Sequence, residues 1–213
     1  MAVYIETLIL YAVLFLAGGG YLPAGQKALT DFSLTAEFAR IFLYNAPSLA
    51  LIWYLLAKAK PLKDLDIHPG KRDLLPGFLA LPGLLIIGFI IAFLSNYIDK
   101  TSAQILFFSP STAAGWIVLS ISCLSSGYLE ESFFRFYLLS RREELKLGSA
   151  SALVLSTALF SICHIYEGPW GFLNSVLSGT LLCFLFLRYK SLHGIAITHG
   201  LYNITAYIFN ALR

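Results

Sequence analysis

Residues 129–136 read LEESFFRF, two adjacent glutamates and, one helical turn beyond, an arginine, all inside a long apolar stretch. Ionisable side chains in an otherwise apolar helix are expensive to desolvate, so their presence marks either a structural staple or a functional site. Outward from this stretch the apolar character continues through the whole chain. Of 213 residues, 58% are hydrophobic and only 13% charged, and the mean hydropathy is +0.74. An ordinary soluble domain is about 25% charged, so this chain lacks the polar residues to coat a water-facing surface. The composition predicts an all-α polytopic integral membrane protein.

Crossing the hydrocarbon core takes about 17–25 largely apolar residues. Seven segments meet that length: 3–22, 37–57, 74–98, 113–138, 149–166, 170–188 and 193–212. About seven transmembrane helices are therefore expected, within a range of six to eight. They form a single membrane domain, with helices one to three in 1–112 and a four-helix core in 113–213. Segment 149–166 is short, and loop 58–73 has room for an interfacial helix. The N-terminal apolar run lacks a basic leading region and a small-residue cleavage site, which reads as a first membrane helix and not a cleaved signal.

Basic residues set the orientation. Lys58, Lys60, Lys63, Lys71, Arg72, Arg141, Arg142, Lys146, Arg188 and Lys190 share one side if all seven segments span, against Lys27, Lys100 and Arg213 on the other. This positive-inside bias puts the N-terminus in the cytoplasm and the protein in the cell membrane. The formal net charge of +3 gives no large basic patch, so nucleic acid is not an expected partner. Cys123, Cys163 and Cys183 lie in apolar segments without CxxC spacing, which argues against a disulfide framework and gives no zinc signature. Gly18–Gly20 reads as a helix terminus, Glu6 and His68 as solvated, Trp53, Trp116 and Trp170 as interface markers, and His193 as lying on a different face from His199.

Within EESFFR the two glutamates point about 100° apart on a helix. Arg135 is four residues after Glu131, the spacing and order that favour an ion pair along one face. Glu130 is then the carboxylate without a local partner, and partial desolvation suits it to act as general base or acid. Phe160 and His164 are also four apart, so the phenyl ring can restrict the imidazole. His199 and Asn203 repeat the spacing and offer two neutral donors for one point, as an oxyanion requires. Counting about 1.5 Å per residue places Glu130 and Asn203 roughly 15 Å, His199 nearer 10 Å and His164 nearer 20 Å from the cytoplasmic ends of their helices. Each pair alone is ordinary helix glue; three pairs at compatible depth point to one site.

EESFFR at 130–135 fits the pattern EExxxR, Phe160–His164 fits FxxxH and His199–Asn203 fits HxxxN. In that order, over about residues 113–212, the chain resembles the membrane-embedded CPBP or Abi family of type II CAAX prenyl endopeptidases and bacteriocin-processing or immunity proteins. The resemblance implies an intramembrane glutamate protease acting on a membrane-associated peptide or prenylated protein. Glu130 and His164 would hold the nucleophilic water, His199 and Asn203 would form the oxyanion hole, and Glu131, Arg135 and Phe160 would support them, without a cofactor. A zinc set of Glu130, His164 and His199 is the less favoured alternative, since no HExxH is present. A non-catalytic immunity or scaffold protein is another. A transporter is disfavoured by the absence of an inverted repeat or paired broken helices.

Overall fold

The computed structural model describes residues 2–17, 32–59, 68–98 and 109–212. The Gly18–Gly20 run, Lys27, Lys60, Lys63, Lys100, Arg213 and the central part of loop 58–73 lie outside the described residues. Helix α1 covers Ala2–Tyr11 and runs on through a π-helical turn at Ala12–Ala17. Helix α2 comprises Leu34–Ala39, a π-helical Arg40–Asn45 and Ala46–Ala59. Helix α3 opens with a 3₁₀ turn at Lys71–Asp73 and continues as Leu74–Ile98. Helix α4 comprises Ala113–Glu131, a π-helical Ser132–Tyr137 and Leu138–Ser140. Helices α5, α6 and α7 are Ser149–Ile162, Gly168–Tyr189 and Leu192–Ala211. Among the described residues there is no strand.

Local chemistry starts these helices. Ser33, Thr112 and Ser191 each accept a bond from a backbone N–H three residues on, at 3.3, 3.1 and 3.2 Å, and so satisfy donors that the first helical turn leaves free.

The packing is inverted relative to a soluble protein. Ile5, Leu8 and Ile9 on α1, Phe42 and Leu43 on α2, and Phe78, Phe89 and Phe93 on α3 face outward, while Glu131 and Arg135 are wholly buried. An apolar exterior of this extent needs lipid to cover it. Three helices, Leu34–Ala59, Lys71–Ile98 and Ile165–Tyr189, are long and apolar enough to cross a bilayer, and Val3–Ala17 and Ser149–Ile162 are shorter apolar helices. Helix α7, with 20 residues, spans about 30 Å but carries part of the polar cluster, as does α4. The described residues are all-helical in their regular structure and include helices of membrane-spanning length and hydropathy, the makeup of an integral membrane protein.

One segment differs from its expected extent. The apolar pattern over 149–166 suggests a helix through His164, yet α5 ends at Ile162 after 14 residues. At about 1.5 Å per residue that is roughly 21 Å, short of a core about 30 Å thick. His164 therefore sits in the α5–α6 turn, ahead of a 3₁₀ turn at Ile165–Glu167 and Gly168 at φ 77°. Hydropathy runs on through this turn because Ile165 and Tyr166 are apolar, so composition alone does not reveal the helix end.

Two sets of contacts fix the basic end of the bundle. Glu6 accepts from Tyr137 Oη at 2.6 Å and pairs with Arg141, which also binds Glu144 Oε2 at 3.0 Å. Glu6 is thus a clip between the start of α1 and the end of α4, not the freely solvated side chain its terminal position suggests. Asp73 accepts from Gly70 N at 2.7 Å and from Ser191 Oγ, tying the start of α3 to the start of α7. Thr198 Oγ1 adds a bond to Gly77 O at 3.2 Å. Helices α4 and α7, α5 and α6, and α3 with both α6 and α7 form the main contacts, with α2 alongside α4.

Candidate active site

The site begins with glycines. A Cβ at Gly127 of α4 would lie 2.8 Å from Ala196 O and Gly200 N, and one at Gly200 would lie 2.7 Å from Leu124 Cα. The two helices therefore meet backbone to backbone, the close approach that small residues permit in membranes. That contact sets Glu131, one turn after Gly127, against His199, the neighbour of Gly200.

Glu131 Oε1 accepts from Arg135 Nη1 at 2.9 Å and from His199 Nδ1 at 2.8 Å. Glu131 and Arg135 are 0% exposed and His199 5%. Arg135 Nη2 donates to Gly179 O on α6 at 3.2 Å, and its guanidinium lies 4.4 Å from the centroid of the Phe160 ring. A Cβ at Gly179 would press on Phe160 Cδ1 at 2.9 Å and approach Arg135 Nη2 at 3.4 Å, so a glycine is what admits the guanidinium to the carbonyl. The i,i+4 pair expected from spacing forms, and it is compensated from three other helices.

Glu130 faces away from that pair. Its Oε2 lies 3.7 Å from His199 Nε2, has no hydrogen-bond partner, and belongs to a side chain 20% exposed. With Nδ1–H committed to Glu131, His199 carries a proton on Nε2 only as imidazolium. The ring thus bridges the two glutamates, one bound and one nearby.

Directly after the glutamates, α4 widens into its π turn. Such turns are rare and concentrate at functional sites. Its opened carbonyl at Phe134 accepts from Ser156 Oγ of α5 at 2.6 Å. Ser132 Oγ accepts from Trp53 Nε1 of α2 at 3.2 Å, so the half-buried Trp53 indole also packs beside the site. Phe133 and Phe134 pack on Phe15 of α1, with ring centroids 4.9 and 4.7 Å away.

His164 reaches the site from the α5–α6 turn. Its Nδ1–H donates to Phe160 O at 2.8 Å, which leaves Nε2 as the ring's other polar atom. The Phe160 ring lies between the two histidines, with centroids 4.5 Å from His164 and 5.9 Å from His199. A shallow apolar pocket lined by Ile165, Gly168, Pro169 and Phe172 opens beside this turn. Asn203 is half-buried one turn beyond His199. It sits on the same face of α7 as His199, four residues on. His193 points elsewhere, with Nδ1 3.1 Å from Tyr128 Oη.

Gly127, Gly179, Gly200, Ser132 and Trp53 all shape the site, and none stands out from spacing to a charged group. Their one signal is the small residue repeated every fourth position, as in Ala196 and Gly200. Glu167, three residues after His164 in the α5–α6 turn, carries no such signal either. Among the described residues no group of three or more His, Cys, Asp or Glu side chains is arranged to hold a metal ion.

Residues 111–205 match the family described as type II CAAX prenyl endopeptidase Rce1-like. No curated protein and no solved structure matches the chain. The matched stretch is somewhat less than half of the chain, begins two residues before α4 and ends within α7. It contains Glu130, Glu131, Arg135, Phe160, His164, His199 and Asn203. All three motifs thus fall within the stretch that is similar to the Rce1-like family of type II CAAX prenyl endopeptidases, a family of proteases.

Proposed function

We propose that the chain is an intramembrane endopeptidase that hydrolyses a peptide bond in a membrane-associated substrate, with Glu130 as the base. The observation that carries this reading is the asymmetry of the two glutamates. Glu131 is wholly buried with its Oε1 bound by both Arg135 and His199 and only its enclosed Oε2 unpaired. Glu130 is instead 20% exposed, pairs with no Arg or Lys among the described residues and offers an unpaired Oε2 beside an imidazole. A partly desolvated carboxylate with a free oxygen is suited to take a proton from water.

In the proposed step a water is held between Glu130 and His164 Nε2. It gives a proton to Glu130 while its oxygen bonds to the substrate carbonyl carbon. The oxyanion so formed accepts from His199 Nε2–H, the ring being held as imidazolium by the Glu131 carboxylate on Nδ1, and from the Asn203 amide. The C–N bond then breaks as Glu130 returns the proton to the leaving amine. No metal takes part in this scheme.

Site depth supports a substrate entering from the basic end. Glu130 lies ten residues before Ser140 and His199 seven after Leu192, roughly 15 and 10 Å from that end. By the positive-inside rule this is the cytoplasmic side, with the N-terminus there. A prenylated peptide would lay its lipid along the apolar surface near Ile165 and Phe172 and present the bond after its lipid-bearing cysteine to Glu130.

The test is cleavage of a fluorogenic farnesylated CAAX peptide by purified protein in detergent, beside Glu130→Gln and with chelator. Turnover lost in the variant and unchanged by chelator is expected. Full turnover in Glu130→Gln would remove Glu130 as the base. Inhibition by chelator, reversed by zinc, would move the reading to metal-assisted hydrolysis, and no turnover in either protein would favour a binding role.

A further inference from the structure

We infer that the polar seam between α2 and α4 is a site for a file of bound waters running from the Glu37–Arg40 pair to the free oxygen of Glu130. Its role in supplying the base rests on the function proposed above; its hydration does not.

The seam holds four buried oxygens with no hydrogen-bond partner in the protein: Glu37 Oε2, Asn45 Oδ1, Ser122 Oγ and Glu130 Oε2. Asn45 and Ser122 are each 1% exposed, so bulk solvent does not serve them. Glu37 Oε2 is 3.4 Å from Arg40 Nη1, an ion pair without a hydrogen bond. Asn45 Nδ2 donates to Ser125 Oγ at 2.7 Å and Ser126 Oγ at 3.0 Å, which fixes the amide so that Oδ1 faces the remaining space. Leaving one buried polar atom unpaired costs about 1–3 kcal/mol, so four in one seam call for a shared partner. Bound water is the usual one in a polar gap.

The spacing suits water. Ser122, Ser126 and Glu130 are successive fourth residues on α4, so each rung is about 6 Å from the next. Two hydrogen bonds of about 2.8 Å through one water cover nearly that distance. Asn45 of α2 bonds to Ser126 of α4 midway between Ser122 and Glu130, so the two helices meet along this seam. At the end opposite the Glu6–Arg141 clip, a pocket lined by Phe32, Leu34, Ser109, Ser111, Thr112 and Ala114 opens one turn before Glu37. A hydrolase enclosed by lipid needs a route for its second substrate, and this seam provides one on the side away from the basic end.

X-ray hydroxyl-radical footprinting of the full chain in nanodiscs tests this, because radicals formed within bound water label the side chains that touch it. Cys123 and Cys183 are both buried free thiols, and Cys183 on α6 serves as the internal control. Cys123 is expected to oxidise several-fold faster than Cys183, and Asn45→Leu to bring the two rates together. Equal slow oxidation of both in the wild type overturns the inference. Ser122→Ala is the milder variant, since it removes only a hydroxyl with no protein partner. A lowered Tm is expected if that hydroxyl holds water, and an unchanged or raised Tm counts against the file. Neither readout needs turnover, so failure of the endopeptidase reading would leave both intact.

Discussion

Glu131→Gln isolates the energetics of the site. The substitution keeps side-chain shape but removes the charge that Arg135 Nη1 and His199 Nδ1 contact at 2.9 and 2.8 Å. Arg135 stays charged under all conditions and is 0% exposed. It would keep the Gly179 carbonyl at 3.2 Å, the Phe160 and Phe134 rings at 4.4 and 5.9 Å and a neutral amide oxygen, but no counter-charge in contact. Breaking one partner of a buried ion pair costs about 3–5 kcal/mol because the other charge is left uncompensated. Cation–π contact of about 2 kcal/mol when desolvated is already present in the wild type and offsets nothing further. The expected loss is therefore about 3 kcal/mol or more, read as the shift in reversible unfolding in mixed micelles. The companion is Glu131→Gln with Arg135→Met, which removes both charges. Apolar replacement of a whole buried pair is often neutral, so the double variant should recover much of the single variant's loss. A Glu131→Gln protein within about 0.5 kcal/mol of wild type, or a double variant no more stable than the single, would refute the stranded-charge argument.

Glu130→Gln should leave stability within about 1 kcal/mol of wild type while abolishing turnover, because the oxygen it changes has no protein partner to lose. A large loss of stability would show that Glu130 is structural. Gly200→Ala should destabilise by about 1–3 kcal/mol through overpacking, since the new Cβ meets Leu124 backbone at 2.7 Å; it should also weaken turnover by drawing His199 from Glu131, and a stable, fully active variant would contradict the close contact. Trp53→Phe leaves Ser132, which is fully buried, without its indole N–H, and a loss of about 1 kcal/mol is expected. Glu6→Gln weakens a partly exposed pair with Arg141, so its effect should stay below about 1 kcal/mol and shrink with added salt.

The membrane class, the approximate helix positions and the Glu131–Arg135 pair were legible in the sequence because each depends on short-range quantities. Composition measures what surface the chain can offer to solvent, runs of apolar residues measure the length that can cross lipid, and residues four apart in a helix must face one another. The likeness of residues 111–205 to the Rce1-like family was legible for the same reason, as the three motifs within that stretch have fixed spacing. The end of α5 at Ile162 was not, since the turn that holds His164 is as apolar as the helix before it. Only the tertiary structure decided what His199 touches. Its spacing to Asn203 settles the face it shares but not its own partner, which follows from the Gly127–Gly200 contact that draws α7 so close to α4 that Nδ1 reaches Glu131. A charged acceptor in a low-dielectric layer outcompetes any neutral arrangement, and which residue arrives within 3 Å of it depends on how two helices distant in sequence cross. The same holds for Glu6 with Arg141, Trp53 with Ser132 and Gly179 under Arg135: sequence spacing settles the face a residue occupies, and packing settles who stands opposite.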